Sequence, residues 1–136
     1  MALRDWTAKL NANPEPAVRP MPKARIGLQK GDLCLLPSAR LVDDFIRAIP
    51  KGKAVSLIDM RTTLARKHKA AGTCPVHLGY HLRTVAEAAC EARDSGVPMR
   101  AITPVWRVLD ADALTLKKLS PRNAAWINER RAKERS

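Results

Sequence analysis

Leu41, Val42, Phe45, Ile46 and Ile49 recur at i, i+1, i+4, i+5 and i+8. That stripe predicts an amphipathic helix with one face in a core. Pro37 and Ser38 precede it, and Ser38 is a fitting N-cap. Asp43, Asp44 and Arg47 take the water-facing positions, and Pro50 with Gly52 ends the helix. The stretch KAVSL, 53–57, is short and β-prone. A second helix is expected from Met60 to about Lys69, capped by Ser56 or Asp59, with Met60, Leu64 and Ala65 inward. Ala70 to Thr73, with Gly72, reads as a turn. A third helix is expected from Pro75 to about Arg93. Pro75 suits a first helical position, with Thr73 or Cys74 as the cap. Leu78, Leu82, Val85, Ala86 and Ala89 line its buried side. Val76, His77, Tyr80, Arg83, Thr84 and Glu87 lie round the other side. Asp94, Ser95, Gly96 and Pro98 close it. Two helices joined by a short glycine-containing turn, the second with a polar face, form the helix-turn-helix pattern.

The ends read differently. Asp5 to Leu10 can form one helical turn with Trp6 and Leu10 on one side. Pro14, Pro16, Pro20 and Pro22 follow, with Arg19, Lys23, Arg25 and Lys30 among them. Prolines at this density argue against regular helix and central strand. Residues 1–36 are therefore expected as an extended, basic, proline-rich arm, anchored by Trp6 or else a disordered tail. Within it, Leu33 to Leu36 is apolar enough to enter the core. Residues 37–136 form the domain proper. Its Met99–Asp110 region, containing AITPVWRVL, is expected as an organising strand. Alternation would put Val105, Arg107 and Leu109 on one face, and Trp106 with Val108 in the core on the other. Leu114, Leu116 and Leu119 follow. Ser120-Pro121 starts a last helix holding Ala124, Ala125, Trp126 and Ile127, whose charged end, NERRAKERS, is expected to fray. The fold class is α+β, mainly α: a small winged helix-turn-helix domain with short β elements.

Composition narrows the partner. The chain has 136 residues, 46% hydrophobic and 28% charged, as a folded protein does. Its net charge of +12 and isoelectric point near 10.4 favour a polyanion. From Lys51 to Arg83, seven Lys/Arg stand against one acid, Asp59. That excess coincides with the helix-turn-helix candidate. Arg61, Arg66, Lys67 and Lys69 are its phosphate-contacting candidates, and His77, Tyr80, Arg83 and Thr84 are the candidates for base edges. No stretch is apolar enough for a membrane span, and the first residues lack a secretory core. Cys34, Cys74 and Cys90 are odd in number and widely spaced, as reduced cytoplasmic thiols would be.

Cys74-x-x-His77-x-x-x-His81, with His68 or Cys90, offers ligand types that zinc accepts, though without paired knuckles. The competing reading is a capping cysteine with two histidines on a polar face, and no metal or cofactor is expected. No glycine-rich phosphate loop, Ser/His/Asp set or catalytic carboxylate pair is present.

The order of these features resembles a known family. It runs from an apolar helix to Ile-Pro-x-Gly (Ile49, Pro50, Gly52), then Ser56 and a second helix. A helix opening on Cys74-Pro75 follows, then Ile-x-Pro-x-x-Arg-Val (Ile102, Pro104, Arg107, Val108). This is similar to the C-terminal DNA-binding domain of the O6-alkylguanine-DNA alkyltransferases and the non-enzymatic alkyltransferase-like proteins, over roughly residues 40–131. A subgroup of small bacterial proteins carrying that family name has the same Thr-Pro-x-Trp-Arg variant. The resemblance implies a cytoplasmic, nucleoid-associated DNA-binding protein, with Val105, Trp106 and Arg107 lining a remnant of the alkyl pocket.

The departures bear on activity. The enzymes read Pro-Cys-His-Arg-Val where this chain has Pro104-Val105-Trp106-Arg107-Val108. Val105 replaces the alkyl-accepting cysteine and Trp106 its histidine, so neither thiolate nor base remains. Alkyltransferase-like proteins carry tryptophan at the cysteine position, one residue before Trp106. The family's intercalating arginine falls near Gly79, one turn before Arg83, and its tyrosine aligns with Leu57. The expectation is therefore a non-catalytic binder of duplex DNA that senses alkylated DNA. An RNA- or ribosome-associated basic module is the alternative, and a zinc- or thiol-dependent protein a third reading.

Overall fold

The computed structural model describes residues 5–12, 15–24 and 27–135. Its helices are α1 (Trp6–Asn11), α2 (Ala39–Arg47), α3 (Leu57–Lys67), α4 (Pro75–Asp94), α5 (Leu114–Lys117) and α6 (Pro121–Arg135), and its strands are β1 (Ala17–Pro20), β2 (Leu33–Leu36) and β3 (Gly72–Thr73). The class is α+β and mainly α. Among the described residues no helix is long and apolar enough to cross a membrane.

Helix α2 forms for the reasons its sequence suggests. Ser38 Oγ accepts from Leu41 N at 3.1 Å, and Val42, Ile46 and Ile49 are buried. One position departs. Asp43 is 1% exposed rather than facing water. Its carboxylate accepts from Thr103 Oγ1 at 2.5 Å, Arg47 Nε at 2.8 Å and Arg40 Nη1 at 3.4 Å. Arg47 also donates to Ala101 O at 3.2 Å. The 101–103 segment thus covers the flank that periodicity assigns to solvent, and the buried charge is satisfied there.

The β-prone 53–57 stretch is not a strand. Val55 N donates to Arg107 O at 2.8 Å, and Ser56 Oγ then accepts from Asp59 N at 3.0 Å, which turns the chain into α3. Met60, Leu64 and Ala65 face inward. The helix stops two residues early because Lys69 takes a left-handed φ of 55°. The next turn contains β3, which pairs in parallel with β2, Cys34 opposite Gly72 and Leu35 opposite Thr73. Thr73 Oγ1 donates to Arg61 O at 2.8 Å, tying the turn to α3.

Pro75 opens α4, which spans 20 residues. Leu78, Leu82, Val85, Ala86 and Ala89 are buried, along with Cys90. Among the described residues before α2, α1 packs on α4 and β1 and β2 join the sheet, so this part of the first 36 residues is not an extended arm. β1 pairs antiparallel with β2, Pro20 opposite Leu33. Proline excludes a central strand but not an edge one, and β1 is the edge. Helix α1 is capped by Asp5, which accepts from Ala8 N at 2.9 Å. The α4 residue Glu91 accepts from Trp6 N at 3.0 Å and Thr7 N at 3.1 Å. Leu10 enters the core, and Trp6 is half-buried between Lys9 and Arg83. Pro14 and Arg25 lie outside the described residues.

The Met99–Asp110 region is not a strand either. It forms two 3-10 turns, Met99–Ala101 and Val105–Arg107. Pro104 cannot donate to a ladder. The chain satisfies itself locally instead, with Arg107 N to Pro104 O at 3.0 Å and Leu109 N to Val105 O at 3.0 Å. Alternation fails with it: Val105, Trp106, Val108 and Leu109 are all buried. All three strands therefore precede α4, and among the described residues no β wing follows it.

Helix α6 holds its shape to Arg135 where fraying is expected. Arg131 is buried and its guanidinium donates to Leu109 O. Glu134 pairs with Arg107 at 2.6 Å. One anchor lies on the second 3-10 turn and the other just after it.

Candidate nucleic-acid interface

The first turns of α4 present an open surface. Val76 and Tyr80 are each 64% exposed, and His77 is exposed beside them. Helix α3 runs alongside with Arg61 half-buried and Arg66 and Lys67 exposed, and Lys69 projects from the turn. Between α3, the start of α4 and the β1 side lies a groove of about 840 Å³. Met21, Leu28, Leu36 and Ile58 give it apolar walls, and Arg19, Lys23, Arg61 and Arg66 give it cations. No acidic side chain is among the described residues that line it. An apolar trough with a cationic rim suits a ligand that carries negative charge beside flat or apolar groups.

The candidate residues divide. Arg61, Arg66 and His77 meet at the groove. Tyr80 stays on the open face, its ring edge-on to His81 at 5.3 Å. Lys67 turns away, with its ammonium 5.8 Å from the Phe45 ring centroid. Arg83 is not free for bases. It lies 5.3 Å from the Trp6 ring and pairs with Glu87 at 3.6 Å. Thr84 is 2% exposed, and its hydroxyl donates to Tyr80 O at 3.2 Å, so it cannot reach a ligand. Helix α1 packs along α4 and occupies the flank on which Arg83 sits.

Cys74 and His77 touch, Sγ to Nδ1 at 3.1 Å. His81, one turn further on, is half-buried; burial first and then the neighbouring His77 hold its imidazole below the ordinary histidine range. Among the described residues no third His, Cys, Asp or Glu joins Cys74 and His77 in a metal-binding group.

The Val105–Arg107 pocket is only partly there. Val105 is 1% exposed and lines neither the groove nor the cavity beside Trp106. Trp106 packs edge-on against Trp126 at 5.7 Å, with Arg130 5.6 Å from its centroid. Arg107 is committed to Glu134 and to Ile49 O, at 2.7 Å. Its guanidinium pushes the Glu134 carboxyl down to about 2. A second cavity of about 420 Å³ lies beside Trp106 and Arg107, with Arg47, Arg100 and Arg130 around it.

Arg19 and Lys23 join the groove although the sequence shows them only as charges among prolines. Arg19 lies in Ala17–Pro20, where only Val18 favours a strand, and the pairing of that run with β2 is long-range.

No family model matches this chain, and neither a characterised protein nor a solved structure does.

Proposed function

We propose that this protein binds duplex DNA without catalysing a reaction on it, in the manner of the alkyltransferase-like proteins. The α3–turn–α4 unit acts as the helix-turn-helix. The first turns of α4 carry His77 and Tyr80 toward the bases, while Arg61, Arg66 and Lys69 hold the phosphates; Lys67, turned toward Phe45, is not part of this set. The observation that carries this reading is the cationic groove, with no acid among the described residues that line it, beside an exposed helix start. Cations placed on phosphates release counterions, and that release supplies most of the affinity. Alkyl transfer at the 104–108 motif is not part of the proposal, since Val105 has no nucleophile and is buried. Sensing of alkylated DNA is the finer form of the same reading.

The test is fluorescence anisotropy with a labelled short duplex, with and without one O6-methylguanine. Replacing Arg61, Arg66 and Lys69 together by alanine should lower the slope of log affinity against log salt by about 3, at about 0.9 per phosphate contact. All three side chains are at least partly exposed, so the fold should survive. An unchanged slope in the folded variant would rule out this face. A preference for the lesion would establish damage sensing, and equal binding would make this a general duplex binder.

A further inference from the structure

Cys34 and Cys74 both line the 840 Å³ groove, and the three cysteines differ in exposure. Cys34 and Cys90 are buried, at 4% and 2% exposure. Burial raises the Cys34 thiol and pushes Cys90 up to about 11. Cys74 is only partly buried and lines the 840 Å³ groove at the residue before α4. It makes no side-chain cap to the helix. Its sulfur instead meets His77 Nδ1 at 3.1 Å, and His77 is exposed and lines the same groove. A thiol with open access and an imidazole in contact has the two parts of an activated nucleophile. The groove adds a third element. Arg61 and Arg66 line it from α3, and Arg19 from β1, with no acid among the described lining residues.

We propose that Cys74 and His77 form a nucleophilic pair whose substrates are small, soft carbon electrophiles bearing a carboxylate or phosphate. His77 Nδ1 takes the thiol proton. The sulfur lone pair forms the S–C bond, and the leaving group departs with the electrons of the bond it breaks. The product is a thioether on Cys74, and the proton on His77 passes to water. Arg61 and Arg66 hold the negative group of the incoming molecule. None of this rests on the DNA-binding reading: the thiol–imidazole contact and the cations that line the groove carry it.

The test uses the full chain and two reagents of matched reactivity type, anionic iodoacetate and neutral iodoacetamide, with the label counted at each cysteine by mass spectrometry. Cys74 should be modified before Cys34 and Cys90, and faster in the native protein than in the urea-unfolded chain. Relative to glutathione under the same conditions, Cys74 should favour iodoacetate. His77→Gln should slow both reagents at Cys74 by about tenfold or more. His77 is exposed, so this variant keeps the core, which circular dichroism checks. Arg61→Gln with Arg66→Gln should abolish the iodoacetate preference, read as the ratio of the iodoacetate to the iodoacetamide rate. Native Cys74 reacting no faster than the unfolded chain, or at the same rate in His77→Gln, would overturn the pair. A reagent preference equal to that of glutathione would overturn the anionic substrate class.

Discussion

Trp106→Ala should destabilise the protein by about 3–5 kcal/mol, the range for a large aromatic removed from a packed core. The indole is 4% exposed and meets Trp126 edge-on at 5.7 Å. Arg130 lies over one side of this pair, 5.6 Å from Trp106, and Arg93 over the other, 4.9 Å from Trp126. Arg93 also donates to Asn123 at 2.7 Å. The stack therefore links the second 3-10 turn, α6 and the end of α4. A cavity at its centre loosens all three, because the neighbours are held by their own partners and cannot collapse inward. A domain of ordinary stability, about 5–15 kcal/mol, would lose a large share of it. Thermal unfolding should show a fall in Tm of about 10 °C or more. Trp106→Phe should cost clearly less, since it keeps an aromatic ring in the stack. A Tm unchanged by Trp106→Ala would mean that the indole is not packed as described.

Arg107→Ala should have the second largest effect, about 2–3 kcal/mol. The guanidinium reaches both Glu134 carboxylate oxygens and donates to Ile49 O. Removing it leaves a Glu134 side chain of 8% exposure without its cation and a carbonyl without its donor. Arg107→Lys should recover only part, because an ammonium cannot reproduce the planar fork. The pair also sets an acid limb. The hydrogen bond from Arg107 pushes the Glu134 carboxyl from 4.5 down to about 2 in the folded protein. A carboxyl depressed by folding stabilises fully above its unfolded value and loses that contribution as pH falls toward the folded one. Wild-type stability should therefore drop between pH 4.5 and 2, and Glu134→Gln should flatten part of that slope. Urea unfolding at several pH values measures it. Identical slopes in the two proteins would contradict the pairing.

The sequence showed the helical framework clearly where the information is local. The stripe from Leu41 to Ile49, the serine caps at 38 and 56 and the proline at the start of α4 all act within a few residues, and the structure has each of them. Elements defined by distant partners were hidden. Asp43 looks solvent-facing until Thr103, sixty positions away, is packed on it. Arg83 looks open on a helical projection until Trp6 of α1 packs against it. The run from Ala101 to Leu109 is apolar enough for a strand, but Pro104 and burial on every side favour tight turns. The charged tail stays helical because Arg107 and Leu109 O hold it. Within the candidate site, the cations of α3 and the histidine of α4 were legible as a cluster. The contributions of Arg19 and Lys23 were not, because strand pairing brings them there.

The most direct test of the central claim is competition for the unmodified protein at physiological salt. A labelled duplex DNA is bound, and unlabelled duplex DNA and a structured RNA hairpin of equal charge are added in separate titrations. Duplex DNA should displace the label at markedly lower concentration than the hairpin, and raising the salt should weaken binding steeply. Displacement by the RNA at equal or lower concentration, or no duplex binding even at low salt, would contradict the assignment of this surface to DNA.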